Sequence, residues 1–499
     1  MDGMLASIAG GFASLLDPLA IIFMLVGVVL GMIFGALPGL SATTGMAMLL
    51  PIAYSMDVTI GLLMLGGIYA GALFGGSVSA ILLGIPGTAA ALPTTFDGYP
   101  MCRQGRALEA LLASLYGSSF GGTASALVLM LLTPPIAAIA IKFGPPEMFL
   151  LGLWGLFMVT GIIGEDVVKG LFMAALGLLV GMVGADPSYG FPRFTFNISS
   201  LYSGFSLVSV ILGLLALPRV YEMIEEFGEQ KEFFMPQKGK KYFVKLSEIF
   251  HRAKLIIRSA LIGIIVGIAP AAGPTIAAFM SYDAAKRDSN HPETFGKGNV
   301  EGVWAAETAN NGATGGSLVF ALSLGIPGSP AAAVLMSALI MKGVQPGPLL
   351  LVNSGDIINT FFAGFLVVNI LVFFIGSGFI QMSSKVLNTP IKLLAPAILI
   401  ICLIGAYSES SSMFSIYCTL GFSVAAYILN KCKFPAGPFL LSIVLGSMME
   451  TNLWTIYDML GGNIFKLFTR PMFDFLLLLG IGSLVLTAVK GRKGKNAIR

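Results

Sequence analysis

The sequence predicts an all-α polytopic membrane protein of roughly ten to twelve membrane elements in two homologous halves, with inverted-topology repeats and discontinuous or re-entrant helices. Three observations predict it. Of the 499 residues 56% are hydrophobic and only 11% charged, where soluble domains carry about 25%. The 62 glycines and 26 prolines suit closely packed and interrupted membrane helices. A polar block that ends in Gly-Ile-Pro-Gly occurs twice, at Gly84-Ile85-Pro86-Gly87-Thr88 and Gly325-Ile326-Pro327-Gly328-Ser329. Proline removes a backbone donor and glycine accepts unusual dihedrals, so a helix breaks there. At membrane depth such a break survives only where its freed backbone groups face protein or a water-filled cavity.

Taken in order, residues 1–18 have no basic n-region and hold Asp2, so they read as an interfacial segment rather than a cleavable signal. The first half is 19–218. Its first span, 19–37, stops at Pro38-Gly39, and Ser41, Thr43 and Thr44 follow. Gly67, Gly71, Gly75 and Ser79 repeat a small residue every fourth position, a face for close helix packing or for a homodimer. After Thr88 comes a polar connection, Asp97 to Arg106. The run 107–141 reads as one span and part of another, divided at Pro134-Pro135. Spans at 148–163, 168–183 and 205–217 enclose a loop, 184–200, placed outside. The linker 219–258 holds nine Lys/Arg and six Asp/Glu, which the positive-inside rule puts in the cytoplasm. The second half, 259–489, has spans near 259–268, 357–380, 393–407, 414–429 and 473–489, with a segment broken at Pro435 and Pro438. The basic tail 490–499 is also expected in the cytoplasm.

The repeat is ordered. Gly35-Ala36-Leu37-Pro38-Gly39 matches Gly267-Ile268-Ala269-Pro270-Ala271, and Gly75-Gly76-Ser77 matches Gly315-Gly316-Ser317 ahead of the two Gly-Ile-Pro-Gly turns. Duplicated breaks in corresponding positions point to a transporter binding site. Superposing the Gly-Gly-Ser blocks sets Glu307, Asn310, Asn311 and Thr314 against Gly67, Ala70, Gly71 and Phe74. Those four polar residues, spaced i, i+3, i+4, i+7, make one stripe on a helix. A carboxylate at membrane depth costs about 2.5–3.5 kcal/mol, so Glu307 needs a cation, a proton or a partner. The four cysteines lack metal-ligand spacing, and His251 and His291 lie in polar segments, which argues against an intramembrane enzyme. No catalytic residue, organic cofactor or nucleic-acid partner is indicated.

These blocks resemble the large membrane (permease) subunit of the tripartite tricarboxylate transporter family of bacteria. The residues that carry the resemblance are Gly35 to Gly39, Gly84 to Thr88, Asp97 to Met101, Ala305-Ala306-Glu307 with Asn310-Asn311, Gly325 to Ser329, and Gln345-Pro346-Gly347-Pro348. The resemblance implies a secondary active transporter of the inner (cytoplasmic) membrane. It would work with a small membrane subunit and a periplasmic solute-binding protein, importing citrate-like tricarboxylates or related carboxylates, with Na⁺ or H⁺ as coupling ion. No Walker A pattern is present. Helix N-termini at the breaks offer N–H groups to a carboxylate, which makes Pro38, Gly39, Ser41, Thr43, Ser77, Gly87, Thr88, Asn310, Asn311, Gly328 and Ser329 the candidate substrate residues. Glu307, Asn311, Thr314 and Ser317 are the candidate cation ligands. An uncoupled channel or exporter for small organic anions is the alternative that the same breaks would serve.

Overall fold

The computed structural model describes residues 2–37, 40–162, 167–186, 189–225, 244, 246–270, 272–387, 391–460 and 464–478. Residues 226–243 and 245 of the charged linker, the 479–489 part of the last predicted span, and the basic tail lie outside the described residues. So do Pro38, Gly39 and Ala271.

Helix α1 (Asp2–Ser14) packs on the start of a later helix, and α2 (Pro18–Ala36) follows. Asp17 starts α2 by accepting from the Leu19 amide at 3.0 Å, with Pro18 in the first turn where its missing donor costs nothing. Ser41 caps α3 (Ala42–Ser55), and Asp57 caps α4 (Val58–Leu83). Then come α5 (Leu92–Arg103), α6 (Ala107–Ala140), α7 (Pro145–Ile162) and α8 (Val167–Gly181). A two-stranded ribbon, Gly184–Ala185 with Pro192–Arg193, lies between α8 and α9 (Leu207–Ile211). Helix α9 continues through a π turn at Leu212–Ala216 into α10 (Leu217–Glu225). The second half holds α11 (Leu246–His251), α12 (Ala253–Ile268), α13 (Gly273–Asp288), α14 (Val300–Leu324) and α15 (Pro330–Met341). It ends with α16 (Leu350–Asn353), α17 (Gly355–Leu387), α18 (Ile391–Ser410), α19 (Met413–Lys431) and α20 (Ala436–Leu460). Among the described residues seven helices are long and apolar enough to cross a membrane, the α9–α10 unit included. Helix α14 is as long as these but carries too many polar residues to stand among them.

Two expected breaks are absent. Helix α6 runs through Pro134-Pro135 as one 34-residue helix. Pro134 and Pro135 give up their own N–H bonds to the turn before, yet the helix runs on over them, and the neighbouring Thr133 hydroxyl donates to the Leu129 carbonyl at 2.6 Å. Pro438 lies in the first turn of α20, where proline is tolerated, so 436–460 is one helix, while Pro435 does fall in the link 432–435 between α19 and α20.

The two repeats are built alike. In each, a helix enters, breaks, and returns beside a long helix: α2, α3 and α4 in the first, α12, α13 and α14 in the second. Arg258 near the start of α12 pairs with Asp288 at the end of α13, so this pair enters and leaves at one face. Each long helix stops at a left-handed glycine, Gly84 (φ 69°) or Gly325 (φ 76°). The chain then hooks back: Gly87 N–H bonds the Gly76 carbonyl at 3.2 Å, and Gly328 N–H bonds the Ser317 carbonyl at 3.1 Å. A Cβ on Gly87 would run into the Gly35 carbonyl oxygen, and one on Gly328 into that of Gly267.

These contacts correct the register of the repeat by one residue. Gly75 sits on the Met32 carbonyl as Gly316 sits on that of Ile264. Gly75 therefore corresponds to Gly316, Gly76 to Ser317, Tyr69 to Asn310 and Gly66 to Glu307. Matching the identical Gly-Gly-Ser letters is off by one because the fit of a small residue against the facing helix, not its letter, sets equivalence. The Gly67, Gly71 and Gly75 face is filled by α2 of the same chain, so it is not free for a homodimer. The repeats are also inverted. Helices α4 and α14 meet with Ser77 beside Glu307 and Tyr69 beside Ser317, so as one rises the other falls.

Candidate functional site

The site lies where α4 and α14 cross, closed in by α5 and α6. Helix α6 packs along α14 because Gly117 and Gly121 let it approach the α14 backbone at Thr308. That approach buries Glu307 completely. Its carboxylate accepts from Thr94 of α5, from Ser118 of α6 at 3.1 Å, and from the Asn310 amide at 3.5 Å. Ser77 stands alongside, donating to the Phe74 carbonyl at 2.7 Å and sharing a 2.5 Å hydrogen bond with Ser114. Every one of these partners is neutral. The carboxylate with the hydroxyl oxygens of Thr94 and Ser118 beside it is a ligand set that a small hard cation could take, and the carboxylate alone could take a proton.

On the other side of the crossing, Tyr69 Oη lies 3.1 Å from Ser317 Oγ and 3.0 Å from Ser329 Oγ. Ser329 also caps α15, accepting from the Ala332 amide at 3.1 Å. The register pairs this contact with a second one in which the halves are exchanged: Tyr69 corresponds to Asn310 and Ser329 to Thr88. Both corresponding side chains are buried, and Thr88 Oγ1 and Asn310 Oδ1 have no hydrogen-bond partner among the described residues. Unmatched buried polar atoms cost about 1–3 kcal/mol each, so these two atoms are free to meet a bound group where their counterparts Ser329 and Tyr69 meet each other.

The remaining predicted residues fall as follows. Asn311 donates from its amide to the Glu307 carbonyl at 3.2 Å, and Thr314 to the Asn311 carbonyl at 2.7 Å. Both lie along α6, where Ser125 meets the Asn311 carbonyl, Thr314 and the Gly315 amide. The stripe is thus buried as one unit but divides between the Glu307 cage and the α6 contact. Ser317 belongs to the Tyr69 cluster. Gly87 and Gly328 form the two hooks. Ser41 is engaged as the α3 cap with Thr44, and Thr43 lies half-buried in the first turn of α3. Pro38 and Gly39 lie outside the described residues. Sequence reasoning missed Tyr69, Thr94, Ser114, Ser118 and Ser125. One signal for three of them was available: Ser114, Ser118 and Ser125, with Gly121, line one face of α6 at helical spacing.

A helical membrane protein with inverted repeats and broken helices meeting at a buried polar crossing has the build of a secondary transporter. Residues 21–441 match the family described as "Tripartite tricarboxylate transporter TctA family". The chain belongs to that family. It is 34% identical over 500 residues to a protein of Agrobacterium vitis described as "Uncharacterized 52.8 kDa protein in TAR-I ttuC' 3'region", covering 99% of this chain and 98% of the relative. A second A. vitis protein, "Uncharacterized protein in TAR-II ttuC' 3'region", is 31% identical over 234 residues, 47% of this chain and 97% of the relative. No solved structure matches.

Proposed function

We propose that this chain is the permease subunit of a binding-protein-dependent importer for citrate-like carboxylates, with cation coupling at Glu307. The observation that carries the reading is the fully buried Glu307 carboxylate with only neutral partners, set at the crossing of the two repeats. A polyanion entering a negative interior works against the potential at about 2.3 kcal/mol per charge per 100 mV, and co-transported cations offset that cost. Na⁺ suits the carboxylate and the hydroxyl oxygens beside it; a proton would bind the same carboxylate. The Thr88 hydroxyl supplies a neutral donor to the substrate, and Asn310 Oδ1 a neutral acceptor. The charged linker 219–258 and the tail face the cytoplasm of a bacterial inner membrane, and the 184–200 loop faces the periplasm. The small membrane subunit and the soluble binding protein complete the system. The test is uptake of labelled citrate and dicarboxylates into proteoliposomes holding all three components, with and without an inward Na⁺ gradient. Na⁺-dependent uptake that Glu307→Gln abolishes supports the reading. Uptake indifferent to Na⁺, to pH and to Glu307→Gln would favour an uncoupled anion pathway instead.

A further inference from the structure

Asp97 takes no part in the Glu307 cage, yet it is fully buried and accepts four hydrogen bonds across the boundary between the repeats. On Oδ1 it receives the backbone amides of Gly296 at 2.8 Å, Gly298 at 2.9 Å and Asn299 at 2.8 Å. On Oδ2 it receives the Tyr282 hydroxyl at 2.8 Å. Convergent amides of this kind form an anion-binding nest, and Gly296 and Gly298 take the positive φ values, 82° and 105°, that let them converge. A Cβ on Gly302 would strike Asp97 Oδ2, so the first turn of α14 is glycine where the carboxylate needs room. Two neighbours reinforce the clamp: Gln104 Nε2 donates to the Lys297 carbonyl at 2.8 Å, and Arg106 Nη1 to that of Gly298 at 3.0 Å. The end of α5 in the first repeat thus grips the loop 289–299 that opens α14 in the second.

The related place in the other half is built differently. The matching turns that end α5 and α15 align Gln104, Gly105 and Arg106 with Lys342, Gly343 and Val344, which carries Asp97 to Leu335, a residue with no carboxylate. The link before α4 is only Met56-Asp57, and there Lys342 Nζ reaches the Met56 carbonyl at 2.7 Å while lying over the Tyr54 ring. Beside that end of α15 lies a cavity of about 410 Å³ lined by Met336, Ile340, Gln345, Pro346, Ser447 and Asn452. Inverted repeats put the two links at opposite faces. One face is held by a four-fold carboxylate clamp and packed core, the other by a lysine beside a cavity.

We propose that Asp97 is a positioning residue of the transport site: a latch that must release loop 289–299 before the Glu307 site opens to the linker face. Its consequence for transport rests on the reading above, but the latch is testable without transport. Cys102, in the last turn of α5, is 1% exposed and packs in one core with Val303 at the start of α14. In a chain with Cys402, Cys418 and Cys432 replaced by serine, Cys102 is the sole thiol. The experiment is labelling with a membrane-impermeant maleimide in vesicles of each orientation. Slow wild-type labelling, at least tenfold faster in Asp97→Asn and several-fold faster in Tyr282→Phe, and only from the linker face, is the expected result. Lys342→Met leaves Cys102 unchanged. Labelling that rises equally from both faces reports general loosening and overturns the latch. So does a rate within twofold of wild type in Tyr282→Phe, a variant that loses one hydroxyl and serves if Asp97→Asn does not fold. Na⁺-dependent carboxylate uptake, measured on the same preparations, fails or succeeds independently of these rates, so the latch and the transport reading fall separately.

Discussion

The Tyr69 cluster gives the sharpest energetic test of how the repeats are joined. Tyr69→Phe removes one hydroxyl from a triangle whose other corners are Ser317 and Ser329, 3.3 Å apart. Ser317 donates to the Thr314 carbonyl at 2.8 Å, so its oxygen is left as acceptor for Tyr69 or Ser329. The phenol therefore makes one or two hydrogen bonds at about 1 kcal/mol net each, and its loss costs about 1–2 kcal/mol. Ser329→Ala loses the same contact and also the α15 cap, itself worth about 1 kcal/mol. The cap loss is common to both Ser329→Ala legs of a double-mutant cycle and cancels. What remains is the coupling across the repeat boundary, about 1 kcal/mol. The assay is equilibrium unfolding of the four proteins in one mixed-micelle condition. Strict additivity, within about 0.3 kcal/mol, would refute the view that Tyr69 ties α4 to the second hook.

Three further outcomes follow from the geometry. Thr94→Val removes one donor to a charged acceptor, worth about 1.5–3 kcal/mol, and is expected to weaken the apparent Na⁺ affinity of uptake tenfold or more at unchanged expression. Gly87→Ala and Gly328→Ala each press a methyl group on a backbone carbonyl and are expected to cost about 1–3 kcal/mol, read as a lowered melting temperature in detergent, whereas Gly378→Ala, with nothing within 4 Å, is expected to be neutral or stabilising. Tyr189 donates to Asp458 at 3.0 Å, and that hydrogen bond holds its phenol above the ordinary value of about 10. Because the folded value is the raised one, the contact is complete below about pH 10 and is lost as pH rises through the folded value. Trp454, whose ring lies 5.1 Å from Tyr189 edge-on, is expected to change fluorescence in that window in wild type and not in Tyr189→Phe.

The hooks were legible because their demand is local. A left-handed residue followed by proline and a close backbone approach needs glycine in any context, and the sequence has it at Gly84, Gly87, Gly325 and Gly328. The burial of Glu307 was legible too, because a carboxylate in an apolar helix must have partners. Which partners it has was not. A lone hydroxyl in a membrane helix ordinarily bonds the carbonyl one turn back, as Ser323, Ser337 and Ser442 do. Ser118 and Thr94 look the same in sequence, and only the packing of α5 and α6 on α14 turns them toward the carboxylate. The one-residue slip between the repeats had a similar cause. The spacing from Gly-Gly-Ser to Gly-Ile-Pro-Gly differs by one between the halves, and identical letters concealed it. Pro438 of α20 misled because a first-turn proline has no bond to lose, and Pro134-Pro135 of α6 because a helix packed along its length runs on after losing two.

With the register corrected, the asymmetry of the two halves has a physical reason. The repeat doubles the hooks and the close helix contacts, but it does not double the charge. The position related to Glu307 is Gly66, and the space a side chain would take there is filled by Phe361 and Phe365 of α17. Helix α17 stands to α4 as α6 stands to α14, so aromatic rings occupy one half where Ser118 occupies the other. Two carboxylates at a crossing of this width would repel each other in a medium of low dielectric, and each would need its own partners. The crossing thus holds one buried carboxylate, caged by hydroxyls and an amide, while a stacked Phe361–Phe365 pair fills the related space in the other half. Phe361→Ala empties part of that space and is expected to loosen α17 on α4 at a cost of about 3–5 kcal/mol, read as a lowered melting temperature in detergent; an unchanged melting temperature would refute the packing role given to the pair.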